Sequence, residues 1–329
     1  MVKFLTQEDA KLWNKFVNSN NGHPLQLWQW GDLKSEFDWE ATRVQIYKTN
    51  RKNAPVIGGF QILKRHLPKP FKATYYIPRG PIVVGEENQL KVFEALKEYT
   101  EKNLKKTGVL LQIEPALEKI DDAIDLGKRA KDTNLLPETV ILDLTKTEDE
   151  LFRSMTKKTR WNINRSQRND IEIVEAKNEA DVEACYNVYK STADEDDFGI
   201  HTLEYYQAVF RVLGKFNRVY MVKFQNKVIA FLWNLENKNL SFELYAGATQ
   251  LGYDMRVNYA LKWHAIRQAQ AHKVAAYDLN GLLNDGISHF KLGFSSGKRV
   301  RFIGTYERSL SSLSKLYKIA LPVAKRIMI

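Results

Sequence analysis

The chain has 329 residues, 44% hydrophobic and 27% charged, with a formal net charge of +11. That length is more than one ordinary core needs, so a globular protein of two domains is expected. The lone Cys185 excludes a disulfide framework, no apolar run reaches the roughly 20 residues of a membrane span, and the basic balance favours a polyanionic partner: nucleic acid, anionic lipid or a phosphorylated substrate.

Met1-Val-Lys-Phe runs straight into Thr6-Gln-Glu-Asp9, which reads as a helix start and not as a signal sequence, so a cytoplasmic protein is expected. Residues 6–17 predict a helix with Ala10, Trp13, Phe16 and Val17 on one face. Trp28 and Trp30 beside Gly31 suggest a packed corner, with Lys34 either solvated or a point charge for a phosphate. Two strands follow at 41–47 and 56–64. Tyr75-Tyr-Ile-Pro-Arg79-Gly-Pro81 is a rigid turn that presents Arg79. A helix is predicted over 87–106 with Leu90, Phe93, Leu96 and Leu104 inward, then a strand at 109–113 that Glu114-Pro115 ends. Glu114 reads as an ion-paired carboxylate, and 116–137 as an irregular surface segment.

Thr139 to Leu144 alternates as a strand, and Thr147-Glu-Asp-Glu150 is a capping box opening a helix that continues to Arg168. Its second half, Lys157-Lys-Thr-Arg160-Trp161-Asn-Ile-Asn-Arg165-Ser-Gln-Arg168, is the densest basic run in the chain. Two readings stay open: a solvated face with Trp161 and Ile163 as the buried stripe, or an RNA- or phosphate-binding helix. Helices are expected over 179–192, with Cys185 inward, and through Tyr205 to Leu213. The acidic cluster Asp194–Asp197 lacks calcium-loop spacing and reads as solvated. A hairpin turns at Gln225-Asn226.

The organising stretch comes next. Phe242, Leu244 and Ala246 alternate with Ser241, Glu243 and Tyr245, a strand. Leu261, Ala265, Ile266 and Ala269 form a helix face from which Lys262, Arg267 and Gln270 point away. Val274 to Leu279 is a second strand, stopped by Asn280-Gly281, and Gly286 to Lys291 is a basic loop. Such a strand–helix–strand unit needs a crossover and predicts parallel or mixed pairing. Arg256 at the helix start marks a phosphate site. The final segment, 310–329, carries Leu313, Leu316, Tyr317, Ala320 and Leu321 on one face, and Pro322 is expected to kink or split it. That segment can pack on the first domain, lie on an anionic membrane, or do both.

In order, Tyr245-Ala-Gly, the helix with Trp263, Tyr277-Asp-Leu-Asn-Gly281, Gly286-Ile-Ser-His-Phe-Lys291 and Phe302-Ile-Gly304 resemble the Fem-type (FemABX) peptidyltransferases. These non-ribosomal enzymes move an amino acid from aminoacyl-tRNA to the stem peptide of a peptidoglycan precursor. The resemblance spans most of the chain and implies a mixed α/β (α+β) fold of two tandem GNAT-like, acetyltransferase-fold domains. Residues 1–144 with 310–329 would bind the precursor, and 145–309 the aminoacyl-tRNA end. Lacking a coiled-coil arm, the chain is most like FemX-type members.

The resemblance implies roles residue by residue. Lys34 would lie by the precursor's phosphates, Arg79 in the substrate cleft, and His201 and Tyr245 against substrate. Lys291 would be catalytic, with His289 a candidate base and Glu114 the counterpart of a family acidic residue. Lys157, Lys158, Arg160, Arg165, Lys298 and Arg299 are candidates for tRNA binding. Transfer from an activated ester needs positioning and oxyanion stabilisation, so no cofactor and no metal are expected. The partners implied are aminoacyl-tRNA, a lipid-linked or UDP-linked precursor and the inner face of the plasma membrane, for a monomer. Two rivals remain: an acetyl-CoA-dependent N-acyltransferase, and a non-catalytic RNA- or membrane-binding protein. The turn Thr249–Arg256 has one glycine, which speaks against the first.

Overall fold

The computed structural model describes residues 2–196, 198–283 and 286–327. Asp197 of the acidic cluster and the last two residues of the final segment lie outside them. Two compact units emerge: Met1–Pro137 with Arg301–Ile329, and Glu138–Val300.

In the first unit β1 (Val2–Phe4) precedes α1 (Ala10–Ser19), which buries Trp13, Phe16 and Val17. Next come α2 (Trp28–Ser35) and an antiparallel pair, β2 (Trp39–Tyr47) and β3 (Val56–His66). Antiparallel to β3 run β4 (Ala73–Pro78) and, at Gly58 and Gly59, the short β5 (Ile82–Val83). Helix α3 (Gln89–Tyr99) turns Val92, Phe93, Leu96 and Tyr99 inward. Leu90, predicted inward, is 39% exposed. At about 100° per residue it stands roughly 200° from Val92, on the opposite side of the helix. β6 (Leu110–Glu114) pairs parallel with β4, and β7 (Lys128–Arg129) lies in the otherwise irregular segment.

The predicted corner at Gly31 is real and tight. A Cβ there would lie 2.3 Å from Arg43 Nη2 and 2.4 Å from Gln61 Oε1. Arg43 is buried under α2, its guanidinium 3.9 Å from the Trp28 ring centroid. It donates to the Trp28 carbonyl at 2.6 Å, to Gln61 Oε1 at 2.8 Å and to Asp32 Oδ1 at 2.9 Å. Gln61 donates in turn to the carbonyls of Leu25 and Leu27. Helix and sheet are therefore joined by polar contacts that only a missing side chain makes room for.

In the second unit β8 (Glu138–Thr139) and β9 (Ile141–Asp143) lead to α4 (Glu148–Ser154), whose capping box at Thr147 and Glu150 forms as predicted. The helix expected to run on is broken. Met155 and Thr156 are extended, and the Thr156 hydroxyl accepts from the Thr159 amide to start α5 (Lys157–Ser166). β10 (Glu172–Glu175), α6 (Glu179–Asp196) and α7 (Leu203–Leu213) follow. Cys185 is buried, and desolvation pushes its thiol far above the ordinary range. β11 (Asn217–Phe224) and β12 (Lys227–Glu236) form the hairpin, with Gln225 and Asn226 at φ 48° and 62° as a two-residue turn requires. β13 (Leu240–Ala248), α8 (Gln250–Asp254), α9 (Val257–Ala271) and β14 (Ala276–Asp278) complete the core. The sheet order is β10-β11-β12-β13-β14-β9, and its only parallel pair among the described residues is β13·β14, as the crossover predicts.

Two expectations change here. Gly286 to Lys291 is not a loop but helix α10 (Gly286–Leu292). Lys262, expected on the outer face of α9, is 4% exposed. The reason for the second is that α9 packs between the sheet and α5 over most of its surface, and Lys262 falls on an enclosed side where buried Glu243 meets it, whereas Arg267 does reach solvent.

β15 (Val300–Arg301) spans the point where the chain passes back into the first unit, which resumes with β16 (Tyr306–Ser309) and α11 (Ser314–Ile327). β16 inserts between β6 and β7, giving the order β1-β2-β3-β4-β6-β16-β7. α11 is one helix; Pro322 does not split it. Leu313 and Tyr317 pack against Phe71, Val109 and Leu110, whereas Leu316, predicted on that face, is 50% exposed. Among the described residues no helix is long and apolar enough to cross a membrane.

Gly31→Ala should lower the stability of the first unit by about 2–4 kcal/mol, because the methyl group must displace a buried, hydrogen-bonded arginine. Urea unfolding of wild type and variant reads this directly.

Candidate functional site

The second unit's parallel ladder lasts three residues: Leu240, Ser241 and Phe242 pair with Ala276, Tyr277 and Asp278. β13 then runs on to Ala248 without β14. At the parting, the chain after β14 is held by side chains. Asn280 Nδ2 donates to the Glu243 carbonyl at 3.0 Å, and the Asn280 amide donates to Asp278 Oδ1 at 2.8 Å. Asn280 and Gly281 take φ 50° and 42°, which folds the Asn-Gly turn back towards α10. The Lys291 ammonium, half-buried, donates to the carbonyls of Asn280 and Gly281, the latter at 3.0 Å. A fixed positive charge thus sits where the strands part.

Behind it lies a polar network that the sequence did not reveal. Lys262 Nζ donates to both Glu243 oxygens at 2.5 and 2.6 Å, with both side chains almost fully buried. The Tyr277 hydroxyl donates to Glu243 Oε1 at 2.9 Å and accepts from Asn234 Nδ2 at 3.0 Å, and Asn234 also donates to Ser241. Burial, then the Glu243 carboxylate, drive the Tyr277 hydroxyl well above its usual range. The missed signal was spacing: Glu243 on β13 and Lys262 on the crossover helix both sit among core residues.

Tyr245, two residues beyond Glu243, belongs to an aromatic cluster. Its hydroxyl lies 3.4 Å from that of Tyr205, and its ring is 5.1 Å from Tyr206. His201 stacks on Tyr205 with centroids 3.9 Å apart. The structure therefore brings the predicted pair Tyr245 and His201 together through Tyr205, which the sequence offered only as a helix residue. Burial, with Tyr205 next, holds the Tyr245 hydroxyl well above the ordinary range, so it acts as a neutral hydrogen-bonding group.

Arg256 lies elsewhere. It caps α9 in a left-handed conformation, φ 57°, and its Nη1 donates to Asn162 Oδ1 of α5 at 2.9 Å. That joins it to the basic helix. Lys157, Lys158 and Arg165 are exposed on α5, and Arg168 is exposed just beyond its end. Arg160 is not part of that surface; its Nη1 donates to the Arg153 and Met155 carbonyls at the end of α4. Trp161, expected in the buried stripe if the helix were merely structural, is 55% exposed, while Ile163 is fully buried. Lys298 is exposed, and Arg299 pairs with Glu138 at 3.2 Å. At the α8 turn, the Gly252 amide donates to Thr249 Oγ1, and a Cβ on Gly252 would meet the Ile229 carbonyl at 2.5 Å. That glycine serves packing and not the cradling of a pyrophosphate.

In the first unit, Lys34 lies in the last turn of α2 with its ammonium 4.8 Å from the Trp30 ring centroid. Arg79 is not displayed on a turn. It is 3% exposed, at φ 50°, stacked 4.6 Å from the Phe302 ring centroid and donating to the Leu136 carbonyl at 3.0 Å. Glu114 is likewise buried and not ion-paired as expected. It accepts from the hydroxyls of Tyr76, Thr133 and Thr305 and from the amides of Asn134 and Leu135. Such a carboxylate organises a loop. Fully buried His23 accepts from the Leu25 amide, and desolvation, then Arg79, hold its imidazole well below 6.5. Among the described residues no cluster of metal-ligating side chains occurs.

These features place the chain among tandem acetyltransferase-fold proteins. It aligns with a crystal structure of FemX at TM-score 0.81 and 18% identity, covering 97% of this chain and 99% of that one. A tandem GNAT protein from the clavulanic acid biosynthesis pathway aligns at TM-score 0.55 and 10% identity, covering 94% and 99%. The sequence pattern of the FemAB family matches residues 5–136 and 128–225, and the chain belongs to that family. Among curated relatives, the lipid II:glycine glycyltransferase of Staphylococcus epidermidis is 25% identical over 233 residues, 65% of this chain and 54% of the relative. That of Staphylococcus haemolyticus is 25% identical over 247 residues, 69% and 57%. The chain spans little more than half the length of these relatives.

Lys262→Met should cost about 3–5 kcal/mol by stranding the Glu243 charge, and adding Glu243→Leu should recover most of that loss; denaturant midpoints of the three proteins decide it. His23 supplies a pH dependence. Its folded value lies below 6.5, so its contribution is complete above pH 6.5 and falls as the pH drops below it, by up to about 1.4 kcal/mol per pH unit. In His23→Asn, which keeps an acceptor for the Leu25 amide, stability measured from pH 7.5 to 5 should fall less steeply than in wild type.

Proposed function

We propose that this protein transfers an amino acid from aminoacyl-tRNA to the stem-peptide amine of a peptidoglycan precursor, the chemistry of interpeptide bridge formation. Support comes from membership of the FemAB family and from curated relatives named as lipid II:glycine glycyltransferases. The observation that carries the reading at the level of chemistry is Lys291, anchored on two backbone carbonyls where β13 and β14 part.

In this reading the acceptor amine attacks the ester carbonyl carbon, a tetrahedral oxyanion forms, and the ester C–O bond breaks to release the tRNA hydroxyl as the amide is made. Lys291 stabilises the oxyanion or the leaving oxygen. Its anchoring fixes the charge before substrate arrives, which removes reorganisation from the reaction step. Tyr245, Tyr205 and His201 line the approach as hydrogen-bonding and stacking groups. Lys34 engages precursor phosphate, and Arg79, being buried, shapes the first unit's loop at 136 more than it touches ligand directly. The exposed members of the α5 run, with Lys298, contact RNA phosphates. Acceptor recognition falls to the first unit and donor recognition to the second, with the protein working at the cytoplasmic membrane surface where a lipid-linked precursor would lie.

Purified protein should move a radiolabelled amino acid from a charged tRNA pool to lipid-linked or UDP-linked precursor, and ribonuclease should abolish this. Lys291→Met should lower the rate about 10²–10³-fold while keeping its circular dichroism spectrum. Absence of incorporation with either precursor, together with turnover of acetyl-CoA, would overturn the reading.

A further inference from the structure

The tRNA-donor reading leaves one feature of α5 unexplained. Trp161 is 55% exposed, although the same helix buries Thr159, Asn162, Ile163 and Ser166. The ring is not loose on the surface. The Arg165 guanidinium, one turn along the helix, stands 5.1 Å from its centroid, and that of Arg256 stands 5.7 Å away. Arg256 reaches it from the head of α9 and is itself fixed by the 2.9 Å hydrogen bond to buried Asn162. Two secondary elements therefore hold two cations beside one open indole.

Charge sets the kind of occupant. Residues 157–168 contain Lys157, Lys158, Arg160, Arg165 and Arg168 and no acidic residue. Lys157 and Lys158 occupy the first turn of α5, where the helix dipole disfavours cations, so helix stability does not account for them. An aromatic face set among phosphate-binding side chains matches a polyanion that also carries flat, unpaired rings. A bilayer surface would instead engage an apolar helix face, and α5 turns its aliphatic side chain, Ile163, inward.

We propose that Trp161, braced by Arg165 and Arg256, is a stacking platform for an unpaired nucleobase of bound RNA, with the exposed lysines and arginines of α5 on the flanking phosphates. The proposal rests on the RNA-donor reading and adds to it a residue that grips a single-stranded segment.

Fluorescence titration with a short unstructured oligoribonucleotide and with uncharged tRNA tests it. Wild type should show tryptophan quenching on binding. Trp161→Ala should weaken affinity about five- to a hundredfold, and Trp161→Tyr should restore most of it. Lys157→Gln with Lys158→Gln should flatten the salt dependence while preserving the quench. Equal affinity and equal quenching in wild type and Trp161→Ala would overturn the platform and leave the donor reading intact if ribonuclease-sensitive transfer persists. Failure of wild type to bind either RNA would overturn the platform and the donor reading together. Loss of binding to phosphatidylglycerol vesicles in Trp161→Ala, with RNA affinity unchanged, would assign the indole to a lipid surface and also overturn the platform.

Discussion

Lys262 and Glu243 face each other at 2.5 Å inside the second unit, where neither charge can be solvated. A buried pair of this kind depends on further hydrogen bonds, and the Tyr277 hydroxyl donates to Glu243 while Asn234, which also donates to Ser241, donates to Tyr277 behind it. That requirement fixes α9 against β13 and β14 at one register. It also decides where the parallel ladder ends. Beyond Phe242 and Asp278 the Glu243 carbonyl is taken by the Asn280 side chain and not by a neighbouring strand. The Asn-Gly turn, and with it the Lys291 ammonium, is placed by this arrangement.

The first unit uses a comparable device with different groups. Arg43 and Gln61 join α2 to the sheet through a gap that Gly31 leaves, and Lys34 rides on the helix so placed. Glu114 gathers three hydroxyls and two amides around the loop after β6. Each unit thus commits buried polar groups to fixing the element that carries a candidate binding residue, Lys34 in the first and Lys291 in the second. Such buried networks specify geometry even where their net stability is small.

Much of this was legible beforehand. The capping box at Thr147, the hairpin turn at Gln225-Asn226 and the parallel crossover to β14 follow from local chemistry and periodicity, and all three form. The ordered motifs from Tyr245 to Gly304 carry the family resemblance in the sequence itself. The departures have more than one cause. Lys262 reads as outward and Arg79 as displayed, and packed neighbours bury both; Leu90 stands on the far side of α3 from Val92, and of the two readings of Trp161 the one that buries its ring does not hold. α9 is enclosed, so its lysine is buried; α5 rests on α9 through Ile163, so its tryptophan is outside.

Most of the elements, the mixed α/β class and the family are legible in the sequence alone, because caps, turns and hydrophobic period act over a few residues; the break at Met155-Thr156 and the helical state of Gly286–Leu292 are not. The tertiary structure alone decided that Tyr205 joins His201 to Tyr245, that Arg256 belongs with Trp161, and that Glu114 is a buried organiser. The Tyr205–Tyr245 and Trp161–Arg256 pairings link residues 40 and more positions apart in the chain. At such separations contact is set by sheet order and helix packing, and no local spacing rule encodes either.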